Sequence, residues 1–138
     1  MKKISFFILF LITAMMAILV LTSCVSQVYP NMLGRWEVFI YQENQVGVLI
    51  DFYITTQSGG SFNGEVVVPD GVLGTLSGIV QPDGNVLILV DVTVEHITDN
   101  SMSFYGAISS NNRMDGSFTF FEKGHAKFTA SWTAKSMQ

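Results

Sequence analysis

From Gly34 onward, apolar and polar residues alternate with a period of two, and no later segment shows the spacing of an amphipathic helix. Short stretches rich in Gly, Asn, Asp and Pro break this alternation into eight predicted strands. These strands are approximately Arg35–Gln42, Val46–Thr55, Ser61–Val68, Leu73–Val80, Val86–His96, Ser101–Ser109, Arg113–Phe121 and Ala126–Lys135. Short connections join antiparallel neighbours, and closure removes the exposed edges of a long meander. The pattern therefore predicts an all-β, eight-stranded antiparallel up-and-down β-barrel.

The alternation also assigns the residues of each predicted strand to a face. One face is almost wholly apolar and is expected to form the interior, with Val94, His96 and Ala126 among its members. The other face carries the charged residues, and Leu73 falls on it. A slip of one residue would bury these charges, so we expect a strongly fixed register.

Four glycines recur on the predicted inner face, at Gly64, Gly78, Gly106 and Gly116. A glycine inside a strand weakens it unless it permits a bend or a close approach. These glycines are consistent with the sharp coiling of a small barrel. The alternative interpretation is an internal space that holds a ligand, and the sequence leaves it open.

Before the barrel, an apolar run from Ile4 to Leu21 follows Lys2 and Lys3, which is typical of an export signal peptide. The run is also close to the length that spans a bilayer. Leu21-Thr22-Ser23-Cys24 resembles the lipobox of bacterial lipoproteins, in which the cysteine is acylated. An uncleaved helical anchor and an ordinary secreted protein remain the alternatives.

The lipobox resemblance implies cleavage before Cys24 and attachment of palmitate-type acyl chains to it. The chain then divides into a signal-peptide helix (residues 1–23), a tether (24–33) and a lipocalin-like barrel domain (34–138). Residue 25 is Val, not an acidic residue that would signal inner-membrane retention. We therefore expect a bacterial cell-envelope protein, lipid-anchored through Cys24, in the outer membrane where the host has one.

Gly34-Arg35-Trp36, at the head of the first strand, resembles the Gly-x-Trp motif of lipocalins and other calycin barrels. The resemblance implies that Trp36 closes one end of the barrel. The avidin group has a similar size and strand order, but its sites are polar, and this predicted interior has almost no polar residues. The expectation of a calycin-like fold therefore carries no expectation of biotin binding.

Removal of residues 1–23 takes away Lys2 and Lys3, leaving 5 basic against 11 acidic residues and a net charge of −6. This charge argues against nucleic acid as a partner, because phosphates require clustered Lys and Arg. Once Cys24 is acylated no thiol remains, so no internal disulfide is expected.

Candidate catalytic and metal-binding residues are few. Only two histidines are present, His96 and His125, whereas a zinc site needs three or four ligands. Glu95 adjoins His96, but neighbours on a strand point to opposite faces and cannot act as a pair. The sequence therefore predicts no metal, no cofactor and no enzymatic activity.

The leading functional hypothesis is a barrel that binds a small apolar ligand, because its predicted interior is lined by aromatic residues. The candidate ligand-binding residues are Phe52, Phe62, His96, Phe104, Phe118, Phe128 and Trp132. The alternative without a ligand is that these aromatic residues simply fill the core, since eight strands enclose only a narrow interior.

The alternative hypothesis is an envelope protein that docks a partner or itself. Its basis is an outer face that is more apolar on strands one to five than on the last three, which suggests one contiguous patch. The candidate interface residues are Phe39, Tyr41, Leu49, Tyr53, Leu87 and Leu89.

Overall fold

The computed structural model describes residues 26–109 and 112–138, together with Ile12. Apart from Ile12, the expected signal peptide with its helix lies outside the described residues, and so does Cys24. Within the described part of the chain, no helix is long and apolar enough to cross a bilayer.

Eight antiparallel strands form one closed barrel, in which each strand pairs with its neighbours in sequence and the last pairs with the first. The strands are β1 (Gly34–Tyr41), β2 (Val48–Ser58), β3 (Ser61–Val68), β4 (Gly71–Val80), β5 (Asn85–Val92), β6 (Asn100–Ser109), β7 (Arg113–Glu122) and β8 (His125–Ser136). The predicted all-β, eight-stranded antiparallel up-and-down barrel is therefore confirmed.

The buried residues lie on the inner face that the alternation predicted. On β1, for example, Trp36, Val38 and Ile40 are buried and alternate with more exposed residues. Among the described residues, no polar or charged side chain is buried. The apolar interior thus stabilises the barrel through packing, and the outer face carries the charges.

The fifth strand is shorter than the sequence predicted. β5 ends at Val92, and the amide of Ile97 donates a hydrogen bond of 3.1 Å to the Val94 carbonyl oxygen in a tight turn. His96 in this turn has a φ of 71°. The predicted inward positions of Val94 and His96 are therefore wrong, because the chain leaves the sheet before it reaches them, and both side chains are exposed.

Two bulges shift side chains from the faces that strict alternation assigns. Val66 pairs with Gly74 but Val67 pairs with Val72, which leaves Leu73 as the extra residue on β4. Leu73 consequently lines the interior, where the sequence had placed it outside. A second bulge before Phe128 leaves Ala126 exposed, so its predicted inward position is also wrong. The alternation of apolar and polar residues does not reveal where a bulge inserts an extra residue.

An up-and-down topology places alternate connections at opposite ends of the barrel. The end formed by the β2–β3, β4–β5 and β6–β7 connections also receives residues 26–33 and the C-terminus, and it is called the closed end. The opposite end, formed by the β1–β2, β3–β4, β5–β6 and β7–β8 connections, is called the open end.

Candidate ligand cavity

The interior near the closed end is filled by interlocking aromatic rings. Phe104 packs edge-on against Phe52 at a centroid distance of 5.0 Å and against Trp132 at 5.4 Å. Phe104 also contacts Phe118 at 4.9 Å in a tilted arrangement. These distances lie in the range preferred by aromatic pairs, so this half of the barrel is a packed core.

The inward glycines allow the rings and strands in this half to approach closely. A Cβ atom at Gly78 would collide with the Phe62 ring, and one at Gly106 would collide with the Asp115 carbonyl oxygen. Trp132 lies directly opposite Gly116 on the neighbouring strand. For Gly78, Gly106 and Gly116, the interpretation as bending and packing positions is therefore the one that fits, because rings or backbone occupy the space they leave.

Trp132 is held in this core by hydrogen bonds as well as by packing. Its indole Nε1 donates to the Ser117 carbonyl oxygen at 3.0 Å and to the Tyr105 carbonyl oxygen at 3.3 Å. These bonds satisfy the ring's polar atom in a fully buried position.

Trp36 lies at the closed end, and it is buried. Its Nε1 donates a hydrogen bond of 2.8 Å to the carbonyl oxygen of Met32, which is also buried. Residues 26–33, called the strap, therefore lie across this end. Together, Trp36 and Met32 close the end of the barrel.

The open end is not closed in this way, and a cavity of about 480 Å³ extends inward from its rim. Its lining is almost entirely apolar. The lining residues are Ile40, Gln42, Gln45, Val46, Val48, Ile50, Val68, Leu73, Met102, Phe118, Phe120, Phe128 and Ala130. This volume lies within the range of about 300–1,000 Å³ that is usual for small-molecule sites.

Aromatic rings continue from the packed core to the cavity wall. Phe118 contacts Phe104 on the core side and Phe128 on the cavity side, at 4.9 and 5.8 Å. Phe128 in turn stacks on Phe120 at 5.4 Å. Phe128 remains 42% exposed despite its inward position. The cavity thus presents aromatic surface that no side chain of the described barrel covers.

The cavity lining contains no charged side chain, and Gln42 and Gln45 at the rim are its polar members. Five acidic and two lysine residues lie on the connections around the rim or at the strand ends beside them. They are Glu43, Asp70, Glu95, Asp99, Glu122, Lys123 and Lys127. The rim therefore carries more carboxylates than lysines, and Lys127 is paired with Glu122 at 3.4 Å.

The candidate ligand-binding residues separate into three groups in the structure. Phe118 and Phe128 line the cavity. Four others, Phe52, Phe62, Phe104 and Trp132, are buried in the closed half and do not line it. His96 lies on the β5–β6 connection at the open end, exposed and outside the lining.

The sequence contained a signal for the lining residues that were missed. Alternate connections of a meander meet at one end, so inward residues next to those connections must share an end. Ile40, Val48, Met102 and Phe120 all satisfy this condition. Leu73 does not satisfy it on strict alternation, because a bulge turns it inward.

The candidate interface residues form two separate groups on the outer wall. Phe39 lies opposite Leu49 and stacks on Tyr41 at 5.8 Å. Leu87 lies opposite Ile79 on one side and Tyr105 on the other. Polar residues occupy the wall between these groups, namely Asn63, Glu65, Thr75 and Ser77. The single contiguous patch expected from the sequence is therefore two smaller patches.

The other two candidate interface residues are Leu89 and Tyr53. Leu89 lies beside Leu87 on β5 and is 51% exposed. Tyr53 belongs to neither patch, since the Arg35 guanidinium lies 6.0 Å from its ring centroid. Arg35 also pairs with Asp51 at 3.0 Å, which places charges beside Tyr53.

Within residues 26–109 and 112–138, no group of three or more His, Cys, Asp or Glu side chains could hold a metal ion. No protein-family model matches this chain, and no curated protein matches it significantly. The geometry of the cavity therefore carries the functional argument.

Proposed function

We propose that this protein is a lipid-anchored envelope protein whose barrel binds one small, uncharged apolar ligand, without catalysis, at its open end. The observation that carries the proposal is the cavity of about 480 Å³ with its aromatic and aliphatic lining. An eight-stranded barrel has room either for its own side chains or for one small ligand. Here the closed half is filled by its own side chains, and the open half has room for a small ligand.

The chemistry of the wall favours an apolar ligand. Binding would cover Phe128, Val68 and Leu73, which remain partly or largely accessible in the barrel. Apolar surface removed from water contributes about 25 cal/mol per Å². A ligand with few polar groups gains from this burial and loses little hydration.

The absence of charge in the lining favours an uncharged ligand. A buried charge is costly unless a partner neutralises it, and none of the lining residues is charged. The acidic rim would also repel an anionic head group. Gln42 and Gln45 at the rim can instead donate and accept hydrogen bonds, which suits a hydroxyl, ester or amide group.

The membrane anchor is the second part of the proposal, and it depends on Leu21-Thr22-Ser23-Cys24. Intact-mass analysis of the mature protein is expected to show cleavage before Cys24 and an added diacylglycerol with N-linked acyl chain. Cys24→Ala is expected to abolish the acylation. A mature chain with an unmodified Cys24 would overturn this part.

Ligand binding can be tested with the neutral fluorescent probe N-phenyl-1-naphthylamine. Its fluorescence is expected to rise saturably on addition of the protein. Ala130→Phe should weaken binding about tenfold or more, equivalent to about 1.4 kcal/mol, because the added ring fills the cavity. Thr129→Phe adds the same ring to the outer wall at the next residue and should leave binding unchanged.

Competition with dodecanol, dodecanoate and dodecylamine at neutral pH tests the charge of the ligand. Dodecanol is expected to displace the probe at the lowest concentration. Saturable binding with dodecanoate as the best competitor would overturn the uncharged ligand. No saturable binding, or equal binding by Ala130→Phe, would overturn the ligand-binding function itself.

A second candidate function is self-association through the outer wall, favoured by Ile79, Leu87, Leu89 and Tyr105 on three adjacent strands, each at least 39% exposed. Sedimentation velocity over a range of concentrations tests it. Leu89→Lys should shift any oligomer to monomer, whereas Thr129→Lys on the opposite wall should not. A monomer at every concentration would overturn self-association.

A further inference from the structure

The strap is fastened to the closed end by one glutamine side chain. The Gln57 side-chain Nε2 donates to the Pro30 carbonyl oxygen at 2.9 Å, and its Oε1 accepts from the Met32 amide at 2.8 Å. Nε2 also contacts the Gly59 carbonyl oxygen at 3.0 Å, which fixes the amide relative to the β2–β3 turn. These hydrogen bonds therefore hold the strap to the barrel from Pro30 onward.

Apolar contacts reinforce these hydrogen bonds. Met32 is completely buried in the core cluster, and Tyr29 packs against the same cluster. The Tyr29 ring lies over Gly60, where a Cβ atom would meet it. Release of the strap would expose Met32 and the Trp36 ring that Met32 covers, so the bound arrangement is favoured.

The strap and the cavity lie at opposite ends of the barrel. β1 begins at Gly34 beside the strap and reaches the open end at Tyr41. Ile40, its last buried residue, already lines the cavity. The C-terminal segment is at the strap's end too, since the Met137 amide donates to the Arg35 carbonyl oxygen at 3.0 Å.

The free chain between the anchor and the barrel is short. Six residue steps separate Cys24 from Pro30, and they span at most about 22 Å at about 3.3–3.6 Å per extended residue. The seven steps of the eight-residue strand β1 rise about 23 Å, which is about 18 Å along the axis at a tilt of about 40°. Residues 42–47 extend the open end beyond β1. The segment from Cys24 to Pro30 can therefore bring the open end to the anchoring membrane only if it is almost fully extended along the wall.

From this arrangement we infer that the cavity opens away from the membrane that anchors the chain, and that its ligand enters from the aqueous side. This inference rests on the proposed acylation of Cys24 and on the proposed cavity function. The ligand then reaches the rim as a dissolved monomer and not by lateral entry from the anchoring bilayer. The acidic rim agrees with this orientation, because it has no net positive charge to attract anionic head groups.

The orientation can be measured on the mature acylated protein with two variants, each of which carries a dye at one end of the barrel. Ser58→Cys places a thiol at the exposed end of β2, beside the β2–β3 turn, and Val46→Cys places one on the exposed rim. Each is labelled with an environment-sensitive dye and inserted into phosphatidylcholine vesicles that carry nitroxide-labelled head groups. The Ser58→Cys dye should lose most of its fluorescence, and the Val46→Cys dye should lose almost none.

Equal quenching at both ends, or stronger quenching of the Val46→Cys dye, would overturn the inference while leaving acylation and ligand binding intact. The protein without an added cysteine is the control, since acylated Cys24 offers no thiol for the dye. Labelling of this control, or failure to join vesicles, would overturn the anchor and this orientation together. Probe binding in detergent tests the cavity separately from both.

Adding Gln57→Ala to the Val46→Cys protein tests the role of the strap. Loss of the two strap hydrogen bonds should lengthen the free chain and increase quenching at the rim. Gln45→Ala removes a matched amide at the open end and should leave quenching unchanged. Equal quenching in the Gln57→Ala and Gln45→Ala proteins would overturn the strap as the orienting element.

Discussion

The two ends of this barrel are built from the same strands and the same alternation, yet one is filled and the other is hollow. At the closed end, Trp36 and Trp132 have both packing and hydrogen-bond partners. At the open end, Phe120 and Phe128 stack on each other but leave about 480 Å³ in front of them. An apolar inner face is thus compatible with either a core or a binding site.

The difference arises from what covers each end. The closed end receives the strap, whose Met32 is buried against Trp36. The connections at the open end carry polar residues and leave the cavity open to solvent, and Val46 on one of them is 95% exposed. An end of a barrel of this width can keep an open cavity when no segment like the strap covers it.

The comparison predicts its largest effect for aromatic truncation. Trp132→Ala should lower the free energy of unfolding by about 3–5 kcal/mol, the usual range for a buried aromatic residue. Phe128→Ala should cost about 1 kcal/mol or less, because half of its ring already faces open space. Urea denaturation followed by far-UV circular dichroism measures both. Equal losses would contradict a filled closed end and a hollow open end.

A smaller effect is expected when a ring is added. Ala134 and Ala130 both point inward on β8, at the closed and open halves respectively. Ala134→Phe should destabilise the barrel by about 1–3 kcal/mol, because a packed core must move to admit the ring. Ala130→Phe should be close to neutral, since the cavity has room for it. A large loss of stability in Ala130→Phe would show that the cavity collapses around its lining.

The smallest effect concerns the amides at the two ends. Gln57→Ala removes the strap's hydrogen bonds and should cost about 1–2 kcal/mol by leaving the Met32 amide unpaired. Gln45→Ala, on the exposed β1–β2 connection, should change stability by less than about 0.5 kcal/mol. Proteolysis of the strap should accelerate only in Gln57→Ala. Similar stability and cleavage rates for the two variants would contradict a fastened strap.

Much of this fold was readable from the residues. The strand order, the closure and the inner positions of Phe52, Phe104 and Trp132 follow from a period of two and short turns. The end of β5 was not readable, because Val94 continues the alternation while the backbone has already turned. Bulges were equally hidden, and they decide that Leu73 faces the cavity and Ala126 faces water.

The candidate site was only partly predictable for a related reason. Phe118 and Phe128 were correctly placed on the inner face, but so were Phe62 and Trp132, and alternation gives all four the same status. What separates them is their height in the barrel and the glycines on adjacent strands. Gly78 gives space to the ring of Phe62, and Gly116 gives space to the ring of Trp132. Phe128 lies opposite Phe120 instead of a glycine, and it borders the cavity.

The sequence by itself determined the eight strands, the side each strand buries and the charge of the outer wall, because local alternation and turn chemistry encode them. It also carries the lipobox-like segment on which the proposed anchor depends. Only the tertiary structure decided which inner residues meet each other and which meet empty space. Packing is a property of all eight strands together, so the fastening of Met32 by Gln57 and the cavity beside Phe128 could emerge only from the closed barrel.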